Sequence, residues 1–189
     1  MKLHLLFILI FIFSKAFAHG DLHERIEKTT KEIQKDPKNP DLYLKRGILY
    51  HQHKEQKRAE KDFKKSIKLG LSSTKLNYYR SKNYLDLNKN QKALHSIQLN
   101  LEKDSLDVIS MQLKAEIFRK MDQNLEAGAL YLKVIQLANK PILTDYFFAI
   151  DSYYEGGDTN KAIVITKQAH EMFSKNLNIL GLLIRFYEE

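Results

Sequence analysis

Large and small side chains return along this chain at two nested intervals. Over short range, Tyr43, Gly47 and Tyr50 fall at i, i+4 and i+7, and Ala59, Phe63 and Ile67 at i, i+4 and i+8. Each set lies on one face of a helix. Over longer range the same pattern repeats every 34 residues. Tyr50, Tyr84 and Phe118 form one column, and Ala59, Ala93 and Ala127 another. Gly47, Ser81 and Ala115 are small at the same interval, and Phe63, Ile97 and Tyr131 are large. Four columns that agree in both size and spacing define a structural repeat.

After Ala127 the interval becomes 35, taking Phe118 to Tyr153 and Ala127 to Ala162. The added residue falls in the connection around Asn139-Lys140-Pro141, where an insertion is tolerated. This register puts Ile150 in the small column. Ala149 would restore the column, but would then set Asp145 and Ser152 at core positions.

Breakers divide each unit into two helices: His53-Lys54-Glu55, Asn88-Lys89-Asn90, Asp122-Gln123-Asn124 and Gly156-Gly157-Asp158. Asn39-Pro40-Asp41 opens the first pair, since Asn is a good N-cap and Pro at the first helical position loses no needed hydrogen bond. Gly70 suits the end of that pair. The small residues let paired helices approach closely, so a large residue at Ala93 should cost on the order of 1–3 kcal/mol.

These residues resemble the tetratricopeptide repeat (TPR) family. The pattern predicts four repeats at residues 40–73, 74–107, 108–142 and 143–176. The second is a poorer match, with Asn77 and Asn100 where a large and a small residue belong. A lone helix over residues 21–35, within an extension spanning 19–39, looks like half of a degenerate leading repeat, with Ile26 and Ile33 facing the core. Residues 177–189 read as a capping helix with Leu180, Ile184 and Tyr187 as its stripe. The resemblance implies an all-α, right-handed superhelical array of antiparallel helix pairs. A solenoid needs its ends covered, because each pair buries only its neighbours' faces.

The resemblance further implies that the first helix of each pair lines a concave groove. The groove positions in the first repeat are Asp41, Leu44, Ile48, His51 and Gln52. In the second they are Lys75, Tyr78, Lys82, Leu85 and Asp86. In the third they are Ile109, Gln112, Glu116, Arg119 and Lys120, and in the fourth Thr144, Phe147, Asp151, Tyr154 and Glu155. Aromatic Tyr78, Phe147 and Tyr154 thus stand among charged Lys82, Glu116, Arg119 and Asp151, a surface suited to a protein or peptide partner. The Lys and Asn with which some TPR domains clamp a C-terminal carboxylate are replaced here by Leu44 and Ile48, so that mode is disfavoured.

Composition and charge add an address. Residues Leu3–Phe13 are an apolar run broken only by His4, preceded by Lys2 and followed by Ala16-Phe17-Ala18. That is the layout of a secretory signal peptide over residues 1–18, cut after Ala18. The run is shorter than the ~20 apolar residues of a membrane span. The expected location is the periplasm or the exterior. The 189-residue chain has 31 basic and 23 acidic residues, a net charge of +8, which becomes +6 once Lys2 and Lys15 are removed. In an exported protein this excess points to acidic partners, with weaker contact to an anionic membrane surface, and away from nucleic acid. On the basic run Lys54–Lys68, the residues Lys57, Lys61, Lys64 and Lys68 share one helical face that reads as solvated.

Chemistry is sparse. With no cysteine, disulfides, cysteine–zinc sites and a cysteine nucleophile are excluded. No G-x-S-x-G, H-E-x-x-H, P-loop or Gly-rich dinucleotide turn is present, so no enzyme and no cofactor are expected. Cleavage after Ala18 would leave His19 as the amino terminus, whose α-amine and imidazole could chelate Cu(II), with His23 as a third donor. Three readings follow: a groove-binding scaffold, a metal-handling protein using His19 and His23, or an accessory subunit of an envelope enzyme complex.

Overall fold

The computed structural model describes residues 21–188, without the side chain of Tyr187. The signal peptide, its cleavage site and His19 lie outside these residues. Everything described is helix and turn, with no strand. Helix α1 covers residues 21–35. It is followed by α2 (Pro40–Gln52), α3 (Gln56–Lys68) and α4 (Thr74–Asp86). Then come α5 (Asn90–Leu101), α6 (Val108–Arg119), α7 (Asn124–Leu137), α8 (Leu143–Glu155), α9 (Thr159–Met172) and α10 (Leu177–Glu188). Two compact units divide between Leu87 and Asn88, so the predicted second repeat contributes α4 to the first unit and α5 to the second.

Local signals set the helix ends. Asn39 caps α2 by accepting from the Asp41 N–H at 3.1 Å, with Pro40 opening the first turn. Ser73 caps α4 through the Leu76 N–H at 3.1 Å, and Asp107 caps α6. Gly70 follows α3 with φ +97°, a conformation that favours glycine. The turn inside each pair carries one left-handed residue: Lys54 (φ 63°), Asn88 (φ 55°), Asp122 (φ 58°) and Gly157 (φ 86°). These are 34, 34 and 35 residues apart. The backbone therefore keeps the period of the side-chain columns, including its late slip. Hydrogen bonds repeat it as well. The N–H groups of Glu55, Gln123 and Asp158 donate to the carbonyls of Tyr50, Phe118 and Tyr153 at 2.8, 2.9 and 2.8 Å. This six-to-one closure satisfies carbonyls that a helix end would otherwise leave open.

In the first unit, α2 lies directly on α3. Gly47 leaves room for the Phe63 ring, which is 1% exposed, while Ala59 is 0% exposed. Leu44 and Leu76 complete that cluster. A charged pair crosses the same interface. Arg46 Nε and Nη2 donate to Asp62 Oδ2 and Oδ1 at 2.7 and 2.9 Å, and Nη1 donates to Thr30 Oγ1 of α1 at 3.2 Å. The Arg46 guanidinium also lies 5.8 Å from the Tyr43 ring centre and 5.7 Å from that of Tyr50. The expected stripe of α3 is corrected at its end. Ile67 is exposed, and Ser66 is buried instead, its hydroxyl donating to the Pro40 carbonyl at 2.9 Å.

The second unit is held by alanines at the close approaches: Ala115, Ala127, Ala149, Ala162 and Ala169 are all buried. Gly128 of α7 meets the Tyr153 ring of α8, an approach the column pattern did not reveal. Ile150 does occupy the small column and is buried, yet Ala149, Asp145 and Ser152 are buried beside it. Asp145 is accommodated by a hydrogen bond from Gln112 Nε2 at 2.9 Å. The asparagines of the weak second repeat, Asn77 and Asn100, are buried as the columns require, and Asn100 Nδ2 donates to Ser110 Oγ at 3.3 Å.

The capping helix is corrected more substantially. Leu180 and Ile184 are exposed, and α10 buries Ile179, Leu183 and Phe186. Both sets have helical spacing, and nearly every position of Leu177-Asn178-Ile179-Leu180-Gly181-Leu182-Leu183-Ile184 is apolar, so spacing alone could not choose between the faces.

Candidate partner-binding surface

In the first unit, the groove positions of α2 line a real concavity. Asp41, Leu44, Ile48 and Gln52 are joined by Arg25 of α1 and by Ser73 and Lys75 at the start of α4, around a cavity of about 620 Å³. Its floor is apolar because Leu44, Ile48 and Leu49 project from adjacent turns of one helix. His51, assigned to the groove by the resemblance, is buried, as is Leu85. The His51 ring meets Tyr79 edge-on at 6.3 Å, and its Nδ1 stands 3.5 Å from Asp86 Oδ2. Burial holds its pKa below the usual histidine value, with Asp86 and Asn83 pulling partly the other way.

Tyr78 and Lys82 are one turn apart on α4. The Lys82 ammonium lies 5.7 Å from the Tyr78 ring centre, and Tyr78 meets Tyr79 edge-on at 5.5 Å. Both predicted residues are half-buried and occupied by this mutual contact.

Glu116, Arg119, Phe147, Asp151 and Tyr154 belong to the second unit. Glu116 is exposed, and the Arg119 guanidinium lies 5.3 Å from the Phe148 ring centre. Phe148 in turn packs at 5.3 Å on Tyr131. Burial pushes the Tyr131 hydroxyl up to about 12, with Arg119 pulling it back. Partial desolvation raises the Asp151 carboxyl above its ordinary value, against the opposing pull of Arg119 and Arg185. Phe147 packs against the core of this unit. Tyr154 is engaged by the terminal helix. Its ring lies 5.6 Å from Phe186, and the Arg185 guanidinium lies 5.2 Å above it. Tyr154 stays exposed while it makes these contacts with α10. Arg185, which no repeat pattern flags, is the cation the sequence reading missed.

Other candidates resolve simply. On α3, Lys57, Lys61, Lys64 and Lys68 are exposed, and Lys64 pairs with Glu60 at 2.8 Å. His23 is exposed, with Nε2 3.3 Å from Glu27 Oε1 one turn along α1. His53 Nδ1 contacts Glu55 Oε1 at 2.9 Å, away from buried His51. Among the described residues, no group of three or more His, Cys, Asp or Glu side chains is placed to hold a metal ion. No helix among them is long and apolar enough to cross a membrane.

No family model matches the chain, and no curated protein matches it. Solved structures do. The MamA protein is 21% identical, with a TM-score of 0.74 over 90% of this chain and 93% of that one. YrrB, described as a TPR protein with an unusual peptide-binding site, is 16% identical with a TM-score of 0.71, covering 89% of this chain and 87% of its own. The C-terminal part of a TPR repeat-containing protein from Cytophaga hutchinsonii is 17% identical with a TM-score of 0.71, over 84% of this chain and 62% of that one. Likeness of this extent at such low identity speaks to fold alone. The chain has the fold of the tetratricopeptide repeat proteins.

Proposed function

We propose that this protein is an exported, non-enzymatic TPR scaffold that holds a protein or peptide partner against the inner-facing helices of its pairs. The observation that carries this reading is the open cavity on α2, built from Asp41, Leu44, Ile48, Gln52 and Lys75. Those are the positions at which the repeat would receive a ligand. An apolar floor with a few convergent polar groups is the ordinary make-up of a binding site. The fold is shared with YrrB, which is described as having a peptide-binding site. Export rests on the apolar run Leu3–Phe13 with Ala16-Phe17-Ala18 after it, and the net positive charge favours acidic partners in the envelope.

Affinity capture from an envelope extract of the native host tests the reading. A genuine partner recovered by the wild type is lost with Ile48→Gln/Tyr78→Ala or with Arg119→Ala/Asp151→Ala. Equal recovery by all three removes the inner helix faces from the explanation. Amino-terminal sequencing of the exported product tests the address, with His19 as the expected first residue.

A further inference from the structure

We infer that the cavity of the first unit selects a peptide segment in which an aliphatic side chain is flanked by carboxylates. This rests on the reading that the inner helix faces bind peptides, and it specifies the chemistry of what enters. The cavity, about 620 Å³, has room for one or two side chains and their backbone. Its floor is half-buried Ile48, seated beside the nearly buried Leu44 and Leu49, and it rewards an aliphatic group that displaces water from it. Its rim carries three cations from three separate elements: Arg25 of α1, Lys45 of α2 and Lys75 of α4. Asp41 is the single carboxylate in the lining.

The state of each rim group matters. Lys45 Nζ is held at 2.7 Å by Glu32, which fixes the ammonium while leaving two of its three donors unspent. Lys75 has no ion-pair partner among the described residues, and Arg25 is only loosely matched with Asp21 at 3.6 Å. Among the neutral groups of the lining, Asn39 and Ser73 act as caps, on the Asp41 and Leu76 N–H groups, which leaves the exposed Gln52 amide beside the cations. Most of the free donors are therefore those of ammonium and guanidinium groups, which call for an anion. A basic segment would meet like charge on three sides. The second unit differs: Glu116, Asp151 and Glu155 are balanced there by Arg119, Lys120 and Arg185, so these positions carry no comparable excess.

Panning a phage-displayed random dodecapeptide library against the purified protein tests this. The expected winners place Asp or Glu beside Leu, Ile or Val. The best of them, labelled and followed by fluorescence anisotropy, should lose at least about tenfold in affinity against Lys45→Glu/Lys75→Glu. A similar loss is expected when its own acids become amides, and a further loss against Ile48→Gln. Both lysines are exposed, so the double variant keeps the wild-type far-UV spectrum. Winners that are neutral or basic, or acidic winners indifferent to Lys45 and Lys75, overturn the inference while leaving peptide binding by the fold intact. A library that enriches no sequence also overturns it, and the capture experiment then judges the wider reading separately.

Discussion

A Cβ placed on Gly47 would stand 2.7 Å from Cε1 of Phe63, because the Phe63 ring of α3 packs directly on the bare backbone of α2 there. The ring cannot retreat, being itself 1% exposed. Gly47→Val should therefore destabilise the protein by about 1–3 kcal/mol through overpacking. The effect is read as a lower urea midpoint at unchanged slope. Gly128→Val should behave alike in the second unit, where a Cβ would meet Tyr153 Cδ2 at 2.8 Å. A neutral outcome at both would mean that these two glycines do not set helix approach.

Lys54 holds the left-handed turn position that Asn88, Asp122 and Gly157 hold elsewhere. A lysine there bears a steric penalty of roughly 1 kcal/mol that glycine avoids. Lys54→Gly is accordingly expected to raise the urea midpoint despite the extra freedom it gives the unfolded chain. Gly157→Lys should lower it. If Lys54→Gly proves destabilising, the turn is not strained.

The Arg46–Asp62 pair makes a sharper prediction. Its side chains are 16% and 6% exposed, and two hydrogen bonds join them across α2 and α3. Removing one partner strands the other charge, so Asp62→Ala should cost about 3 kcal/mol. Replacing both, as Arg46→Met/Asp62→Leu, should cost clearly less than the single change. A double-mutant cycle by chemical denaturation gives the coupling directly. Additive costs would show that the pair acts as two independent packing groups.

His51 gives the protein a pH-dependent component of stability. Its folded pKa lies below that of an ordinary histidine, chiefly because burial disfavours the imidazolium. The unfolded chain therefore binds this proton more readily than the folded one. Stability from this group is full above about pH 6.5 and is lost as pH falls from there through the folded value. Urea midpoints measured from about pH 7 to about pH 5 should fall more steeply for the wild type than for His51→Gln. Parallel slopes would assign the acid sensitivity to other groups.

Much of the architecture is legible in the sequence. The interval of 34, its slip to 35 after Ala127, the Asn39-Pro40 start and the Gly70 stop all reappear as helix ends and turn conformations. These depend on neighbours in sequence, and a few residues suffice to encode them. The candidate surface was legible only in outline. Asp41, Ile48, Gln52 and Lys75 do line one cavity, but His51 and Leu85 turn inward, and Tyr154, though exposed, also touches Phe186 and Arg185. The sequence announces the terminal helix, but not which side chains of α8 it touches.

Periodicity, capping and turn chemistry are thus properties of the sequence itself, because each is decided within one or two helical turns. The tertiary structure decided which of two equally apolar faces α10 buries, and that Ile67 at the end of the α3 stripe stays exposed. It also decided that Asp145 and Ser152 share the core with Ile150. Burial belongs to a position and the surfaces packed around it. A pattern that permits two faces is resolved only by what lies against each.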